Sequence, residues 1–382
     1  MIKKFIALIL CGFILTGCFD RKELNKIGIV LAVAMDKDLL TNEIIISCEV
    51  LKPTALKSQS NPEESVEVVS AKGFTVYEAV RNISKKLDRK SYFAHNKLII
   101  ISEKLAKESI TSILDVFIRD PEIRLSVWLV IAKDTEARTL LNINHGVNQI
   151  QAFYINEMIK TKWATSQMQV YNLLDFYKKL LKKGNNPTTG AITVINEFGT
   201  PELLMAGTAA FRKDKLAGYL DYKESRGLNW ITNSVKGGII NIPGMKSKDK
   251  DIAIEIKRAR GKILPKLQNG KITFLIKVNV IGNISEIRDT SDISEIKTIE
   301  KLESETKKVI DNEIKEAVNK AKNQFHSDIF GFGYALSRYY PKEWDKIKDQ
   351  WDKLFFNINY KTDINVKIKR SGQLQKPFAP EK

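Results

Sequence analysis

Hydrophobic positions in the first half of the chain follow two periods, one typical of strands and one typical of helices. Residues 27–33 and 43–50 are rich in β-branched and apolar side chains, and the polar segment between them predicts a turn. Further along, apolar residues recur every three or four positions, as on one face of an amphipathic helix, and two short apolar runs are typical of buried strands. The predicted helices span residues 75–87, 110–119 and 171–181, and the predicted buried strands span residues 98–102 and 125–131.

The second half of the chain has a different pattern. Residues 252–256 and 272–280 alternate between apolar and polar side chains, which predicts half-buried, antiparallel strands with one face toward a core. Residues 293–325 carry an apolar stripe at helical spacing, and residues 358–368 alternate again as strand. A last helix is predicted with Pro341 in its first turn and with Trp344, Ile347, Trp351 and Leu354 on its buried face.

The change of pattern indicates more than one domain. Residues 184–190, rich in glycine and asparagine, interrupt the helical periodicity, and we place the main boundary near residue 200. At roughly 150 residues per domain, a chain of 382 residues has room for two or three. We expect an α+β, multi-domain protein with mixed or antiparallel sheets and packed amphipathic helices. Residues 18–199 would form an N-terminal α+β region of one or two subdomains. Residues 200–372 would form a C-terminal domain with an antiparallel sheet and one long helix, and residues 373–382 a loose tail.

The first residues have the form of an export signal. Lys3 and Lys4 precede an apolar run over residues 5–15, which at about 1.5 Å per residue is too short to span a hydrocarbon core of about 30 Å. The following Leu15-Thr16-Gly17-Cys18 resembles a bacterial lipobox, in which small residues admit the peptidase and the cysteine carries diacylglycerol. We therefore expect residues 1–17 to be a lipoprotein signal peptide and Cys18 to be lipidated. The alternative is an ordinary cleavage site with a chance cysteine.

Signal removal and lipidation would affect which thiol stays free and which partners the net charge predicts. Cys48 would be the one free thiol of the mature chain, and its place on an alternating apolar face predicts a buried small hydrophobe, with a reactive thiol as the alternative. The formal charge of +17 predicts an anionic partner, and removal of the signal takes away only two of these charges. Because export places the chain outside the cytoplasm, we expect membrane lipid or wall polymer, and no nucleic acid.

Sequence patterns typical of catalysis are absent. Residues 184–190 place five residues between two glycines, and Ala191 stands where a phosphate loop needs Lys followed by Ser or Thr. Gly331 and Gly333 lack the third glycine of a dinucleotide loop, since Leu336 occupies its position. The three histidines are far apart and fit no zinc-ligand spacing. We expect no enzymatic activity, no metal and no cofactor, apart from covalent diacylglycerol and an N-acyl chain on Cys18.

An ordered series of blocks carries a family resemblance. The run Cys18-Phe19-Asp20-Arg21-Lys22-Glu23-Leu24-Asn25, followed by residues 29–37, resembles the start of the Ger(x)C family, the C subunits of spore germinant receptors. The family usually shows Trp where this chain has Phe19 and a glycine near Ala34. Similar later blocks are residues 73–79, 92–97, 117–124 and 207–220, then Glu224 and residues 227–230, and finally residues 328–333 with Pro341, Trp344 and Trp351.

The resemblance implies a function and a place in the cell. It implies a lipid-anchored, non-catalytic subunit needed for nutrient-triggered germination, on the outer face of the spore's inner membrane. The implied partners are an A subunit with soluble and membrane parts, a multi-spanning, transporter-like B subunit, and membrane lipid. The candidate residues for partner contact or fold signature are Asp20, Arg21, Glu23, Leu24, Gly207, Phe211, Lys213, Leu216, Gly218, Glu224, Asp328, Phe330 and Gly331.

Plainer interpretations stand beside these. The Lys213-Asp214-Lys215 tip reads as a solvated hairpin turn, and Asp328 as the cap of a turn that the following glycines permit. The main functional alternative is a solute-binding lipoprotein of an uptake system. That class predicts two similar lobes of alternating strands and helices around a cleft. The long alternating strands and single long helix after residue 250 instead favour an α+β fold.

Overall fold

The computed structural model describes residues 27–52, 65–143, 150–197, 199–244, 252–288 and 295–369. In these ranges, two β-sheets are packed against helices, which confirms the predicted α+β class. The strands are β1 (Ile27–Lys37), β2 (Ile44–Leu51), β3 (Val66–Gly73), β4 (Lys90–Tyr92), β5 (Leu98–Ser102), β6 (Trp128–Ala132), β7 (Thr188–Glu197), β8 (Thr200–Arg212), β9 (Lys215–Leu220), β10 (Ile239–Ile242), β11 (Ile252–Gln268), β12 (Lys271–Ile287) and β13 (Asn359–Lys369). The α-helices are α1 (Val76–Ile83), α2 (Glu103–Glu108), α3 (Ile110–Arg119), α4 (Thr139–Asn142), α5 (Gln151–Lys160), α6 (Leu173–Leu180), α7 (Tyr222–Ile231), α8 (Ile296–Lys320), α9 (Phe332–Tyr339), α10 (Pro341–Ile347) and α11 (Trp351–Leu354).

The first sheet runs in the order β3-β2-β1-β5-β6-β7-β8-β9, with β4 beside β1. Antiparallel pairing of β1 with β2 confirms the predicted first strand pair, whereas β1, β5, β6 and β7 are parallel neighbours. Helices cover both faces of the parallel part, so all five residues of β5 are buried. Ile99 and Ile101 belong to the core on one face, and Leu98 and Ile100 to the core on the other. This two-sided burial explains the uninterrupted apolar run in the sequence.

The predicted boundary near residue 200 lies inside this sheet. Strand β8 begins at Thr200 and pairs antiparallel with β7 from Thr188↔Ala210 to Glu197↔Thr200. Strand β9 then pairs with β8. The first sheet therefore takes strands from both sides of residue 200, and the second sheet begins only with β10.

The second sheet has the order β10-β11-β12-β13. Strands β11 and β12 form a long hairpin whose turn, Asn269–Gly270, has positive φ at both residues, as tight hairpin turns require. The predicted one-sided burial is confirmed, since Ile254, Ile276 and Val278 are fully buried on the core-facing side. Strand β13, however, is parallel to β12, where antiparallel pairing was expected. Helices α8 to α11 connect the two strands, and such a crossover returns the chain in the same direction.

The predicted long helix is confirmed as α8, extended by a π-turn over Ala321–Phe325. The last predicted helix is only partly correct. Pro341 does open α10, but a 3₁₀ turn over Lys348–Gln350 separates α10 from α11. Trp344 and Trp351 are buried with their ring centroids 5.5 Å apart, whereas Leu354 is 40% exposed. The 3₁₀ turn changes the angle between successive side chains, which removes Leu354 from the buried stripe.

Candidate functional site

Five of the candidate residues precede the first described strand. Cys18, Asp20, Arg21, Glu23 and Leu24 lie outside the described residues, so lipidation and the role of this segment stay predictions. None of the helices in the described ranges combines the length and apolar character needed to cross a bilayer. The same ranges contain no group of three or more His, Cys, Asp or Glu residues that could hold a metal ion.

Two candidate glycines allow close approach around the β8–β9 hairpin. Gly207 has φ +87°, and a Cβ added there would lie 2.2 Å from the carbonyl oxygen of Leu220. Gly218 has φ +153°, and its added Cβ would lie 2.6 Å from the ring of Phe325. Both positions combine a left-handed backbone with contacts that leave no room for a side chain. Their role in the fold is to let the hairpin pack against its neighbours.

Two candidate apolar residues join the hairpin to the core of the first sheet. Phe211 is fully buried, and its ring meets that of Phe176 edge to face with centroids 5.2 Å apart. Leu216 is 7% exposed and belongs to the same core cluster. These two side chains therefore stabilise the fold and do not present a free surface.

The hairpin tip is less solvated than expected. Lys213 does extend its side chain into solvent, but its backbone N–H donates to Asn186 Oδ1 at 2.8 Å. Asp214 accepts hydrogen bonds from the hydroxyls of Ser109 at 2.7 Å and Thr111 at 3.1 Å, and these bonds lower the pKa of its carboxyl. The prediction of a solvated tip is therefore correct for Lys213 and Lys215, which are exposed, but not for Asp214, which ties the tip to the start of α3.

Asp328 organises a tight turn, as predicted. Its Oδ1 accepts the backbone N–H groups of Phe330, Gly331 and Phe332 at 3.2, 2.8 and 3.1 Å. Its Oδ2 accepts the N–H of Gly333 at 2.9 Å and the indole N–H of Trp351 at 3.0 Å. Burial raises the pKa of Asp328 to about 6, and these donors oppose the rise. Five N–H donors therefore point at its two oxygens, an arrangement that favours the carboxylate form.

The Asp328 turn also places the other two candidates of its block. Gly331 has φ +84°, which lets the chain enter α9, and an added Cβ there would meet the side chain of Asn185. Phe330 is buried, and its ring centroid lies 5.4 Å from that of Phe332. Both residues serve the local fold.

Two hydrogen bonds connect this turn to β8 and to the segment before β7. Ser327 Oγ donates to the carbonyl oxygen of Phe211 at 2.6 Å, and the N–H of Asn186 donates to the carbonyl oxygen of Asp328 at 2.7 Å. We call this cluster of Asn186, Phe211, Ser327 and Asp328 the joint. It brings together candidate residues more than a hundred positions apart in the sequence, and it ties β8 of the first sheet to the segment between α8 and α9.

Glu224 serves helix α7. Its carboxylate accepts the backbone N–H of Asp221 at 2.8 Å, while Asp221 Oδ1 accepts the N–H of Glu224 at 2.9 Å, which forms a capping box. Lys320 of α8 also donates to Glu224 Oε2 at 2.6 Å. Glu224 therefore caps one helix and links it to another.

Sequence reasoning missed a buried ion pair between α7 and α8. Arg226 and Glu313 have side chains 7% and 4% exposed, and Arg226 Nε lies 3.0 Å from Glu313 Oε2. Trp230 Nε1 donates to Glu313 Oε2 at 2.8 Å, and Arg226 Nη1 donates to the carbonyl oxygen of Ile239 at 2.7 Å. The sequence did contain a signal for this pair, because Glu313 lies between Ile310 and Ala317 in an otherwise apolar stripe of the helix.

Two further buried carboxylates were also missed. Glu49 is 1% exposed and accepts the N–H groups of Gln151 and Ala152 at 2.8 and 2.9 Å, at the start of α5. Burial raises the pKa of Glu49 to about 7, against the lowering effect of these bonds. Asp36 likewise accepts the N–H groups of Ala137 and Arg138, and burial raises its pKa. Both carboxylates are therefore committed to the fold of their own chain.

Comparison with known proteins gives a consistent result over both sheets. A family model described as spore germination protein N-terminal domain matches residues 20–194, and one described as spore germination B3/GerAC like, C-terminal, matches residues 206–372. Spore germination protein KC of Bacillus subtilis (strain 168) is 28% identical, with 98% of this chain and 96% of that protein covered. Spore germination protein B3 of the same organism is 27% identical, with 98% and 99% covered.

A solved structure shares the fold. The crystal structure of the GerBC protein matches with a TM-score of 0.55 and 22% identity, covering 88% of this chain and 96% of that chain. The two-sheet α+β fold is thus shared with a solved spore germination protein, and both family models describe spore germination domains. The chain belongs to the Ger(x)C family.

Proposed function

We propose that the chain is a lipid-anchored, non-catalytic subunit of a spore germinant receptor, needed for nutrient-triggered germination. It acts beside an A subunit and a multi-spanning B subunit on the outer face of the spore's inner membrane. The observation that carries the proposal is the similarity to spore germination proteins KC and B3 over 98% of this chain. Relatives with A3, B3 and KC in their names are consistent with a receptor subunit.

The lipid anchor rests on the sequence before the described fold. The lipobox-like Leu15-Thr16-Gly17-Cys18 supports cleavage before Cys18, with diacylglycerol on its thiol and an acyl chain on its new amino group. One acyl chain binds membranes only marginally, whereas two or more hold a protein stably. Anchoring would concentrate the subunit in two dimensions, so weak contacts with partner subunits would suffice for assembly.

The non-catalytic role is supported by how the polar residues are used. The carboxylates of Glu49, Glu313 and Asp328 are buried and accept hydrogen bonds from their own chain. Cys48 is buried, and burial raises the pKa of its thiol to about 12, so it is a poor nucleophile. These groups stabilise a scaffold that presents surfaces to partners.

Disruption of the gene tests the germination role. Spores without the protein should form in normal numbers but should keep their optical density after nutrient addition, whereas wild-type spores lose it. Wild-type complementation should restore the response. Normal germination of the disrupted spores with each nutrient that acts on wild-type spores would contradict the proposal.

A separate experiment tests the anchor. Wild-type protein should incorporate a labelled fatty acid, and the Cys18→Ala variant should not. The matched control is Cys48→Ala, which should be labelled like wild type. Equal labelling of the Cys18→Ala variant and wild type would exclude lipidation at this cysteine, whatever the result for germination.

The solute-binding alternative has less support. It predicts two similar lobes, whereas the described residues form a nine-stranded sheet and a four-stranded sheet of different topology. A thermal-shift screen of the protein without partner subunits against amino acids, sugars and their analogues distinguishes the two classes. Reproducible stabilisation by one small ligand would favour solute binding.

A further inference from the structure

The outer face of the second sheet is strongly basic. Residues on β11 to β13 alternate between the core and solvent. Residues that are opposite each other in the strand register point to the same side, so the solvent-facing residues of the three strands form one continuous face. We define the basic sheet face as Arg258, Arg260, Lys262 and Lys266 of β11, Lys277 of β12, and Lys361 and Lys367 of β13. All seven side chains are exposed.

Opposite charges are scarce on this face. Asp363 of β13 forms an ion pair with Lys277 at 3.5 Å, and at the far end of the face Glu255 forms one with Lys257 at 2.6 Å, with Glu286 on the neighbouring strand. In the described part of the chain, no carboxylate forms an ion pair with Arg258, Arg260 or Lys367. Lys262 lies directly opposite Lys277 in the strand register, and like charges in such positions destabilise a sheet. Asp363 offsets part of this repulsion, and a negatively charged partner would offset more of it.

The same face carries apolar side chains between the charges. Leu264 and Leu275 are opposite each other on β11 and β12, and both are half-buried, as is Ile281 opposite Arg258. A broad sheet face with both basic and apolar side chains can bind a flat surface that has negative charges on the outside and an apolar layer beneath them. A membrane with anionic lipids has this chemistry, whereas a wall polymer offers charge alone.

We propose that the basic sheet face docks on anionic lipid headgroups and so orients the protein on the membrane. The choice of partner rests on the proposed membrane anchor. Ile27, the start of β1, follows Cys18 by nine positions, and an extended chain of that length reaches at most about 30 Å. The anchor would thus keep the body near the bilayer, where basic residues are attracted within a Debye length of about 8 Å.

Vesicle binding without the lipid anchor tests the face by itself. The protein used is the chain from residue 18 with Cys18→Ser, which keeps every described element because the first described strand begins at Ile27. It should float with vesicles of phosphatidylcholine and phosphatidylglycerol at low salt. It should not float with pure phosphatidylcholine vesicles, or with either kind at 0.5 M NaCl. Because no acyl group is present, the outcome is independent of whether Cys18 is lipidated in the cell.

Charge removal on the face gives the decisive comparison. The variant R258Q/R260Q/K262Q/K367Q should bind the anionic vesicles more weakly by a factor on the order of several hundred, at about fivefold per basic residue. The matched control is K85Q/K104Q/K223Q/K342Q, which removes the same amount of charge at exposed lysines outside the face. It should bind the anionic vesicles much more tightly than the face variant. Equal thermal melting of the three proteins excludes unfolding as the cause.

Two results would overturn the proposal. One is equal loss of vesicle binding in the face variant and the control variant, which would mean that net charge acts without a defined surface. The other is binding to purified anionic wall polymer that depends on the face, in the absence of vesicle binding. Neither result would bear on the germination phenotype of disrupted spores, which tests the proposed function separately.

Discussion

The buried ion pair between α7 and α8 gives the sharpest prediction about stability. Replacing Glu313 by Ala would leave the Arg226 guanidinium, 7% exposed, without its carboxylate partner. Loss of one partner of a buried pair typically lowers the free energy of unfolding by 3–5 kcal/mol, because the remaining charge is neither solvated nor paired. Trp230 would also lose its hydrogen-bond acceptor. We therefore expect E313A to lower the free energy of unfolding by about 4 kcal/mol.

An exposed pair on the same helix supplies the control. Glu305 and Lys308 are 2.8 Å apart with side chains 27% and 65% exposed, and E305A should cost about 0.5 kcal/mol or less. The double variant R226M/E313L replaces both charges by apolar groups of similar size. It should recover most of the loss caused by E313A, since no unpaired charge remains.

Urea unfolding followed by far-ultraviolet circular dichroism measures these differences. With a slope of about 3 kcal/mol per molar urea, E313A should lower the midpoint by about 1.3 M. If E313A does not fold, E313Q keeps the shape without the charge and should still be less stable than E305A. A loss for E313A within 1 kcal/mol of that for E305A would refute the reasoning, as would a double variant no more stable than E313A.

Three further predictions concern other buried positions. The pKa of Glu49 rises from an ordinary 4.5 to about 7 in the fold, so the folded state binds this proton more tightly than the unfolded chain. The free energy of unfolding should therefore fall by up to about 3 kcal/mol between pH 4.5 and pH 8. Urea unfolding at several pH values should show that E49Q lacks this part of the pH dependence. The same change of unfolding free energy with pH in both proteins would contradict the prediction. An added Cβ at Gly227 would lie 2.0 Å from the carbonyl oxygen of Glu313, so G227A should cost 3 kcal/mol or more by separating α7 from α8. G199A, whose Cβ would meet nothing within 4 Å, should cost only about 1–2 kcal/mol, and equal melting temperatures of the two variants would count against the steric argument. In the Cys18→Ser protein at pH 8, Cys48 should react with iodoacetamide when the chain is unfolded in urea but not when it is folded. Mass spectrometry measures the labelling, and fast labelling of the folded protein would contradict the burial of this thiol.

Much of the fold follows from local pattern. The helix predicted over residues 110–119 is present with the same bounds, and the buried strand over residues 98–102 also agrees. One-sided burial of β11 and β12 was readable because alternation along a strand assigns each side chain to a face before the partner strand is known. The failure at Leu354 has a local cause as well, since three residues of 3₁₀ helix shift the phase of the pattern.

The candidate residues were only partly interpretable from sequence. The turn around Asp328 could be predicted, because glycines that follow an aspartate indicate a capped turn. The contact of Asp214 with α3 could not, since its partners Ser109 and Thr111 lie more than a hundred residues earlier. The distinction between a solvated tip and a docked tip depends on that distant contact.

The sequence by itself determined the position of most strands and helices, the sidedness of the second sheet, and the family. These properties depend on backbone preferences and side-chain directions that repeat within a few residues. Only the tertiary structure decided the parallel direction of β13, the joint, and the pairing of Arg226 with Glu313 across 87 positions. It also gathered the basic residues of three strands on one face. The physical reason is that the environment of a charge is set by the groups packed around it, and the order of residues in the chain does not specify which groups those are.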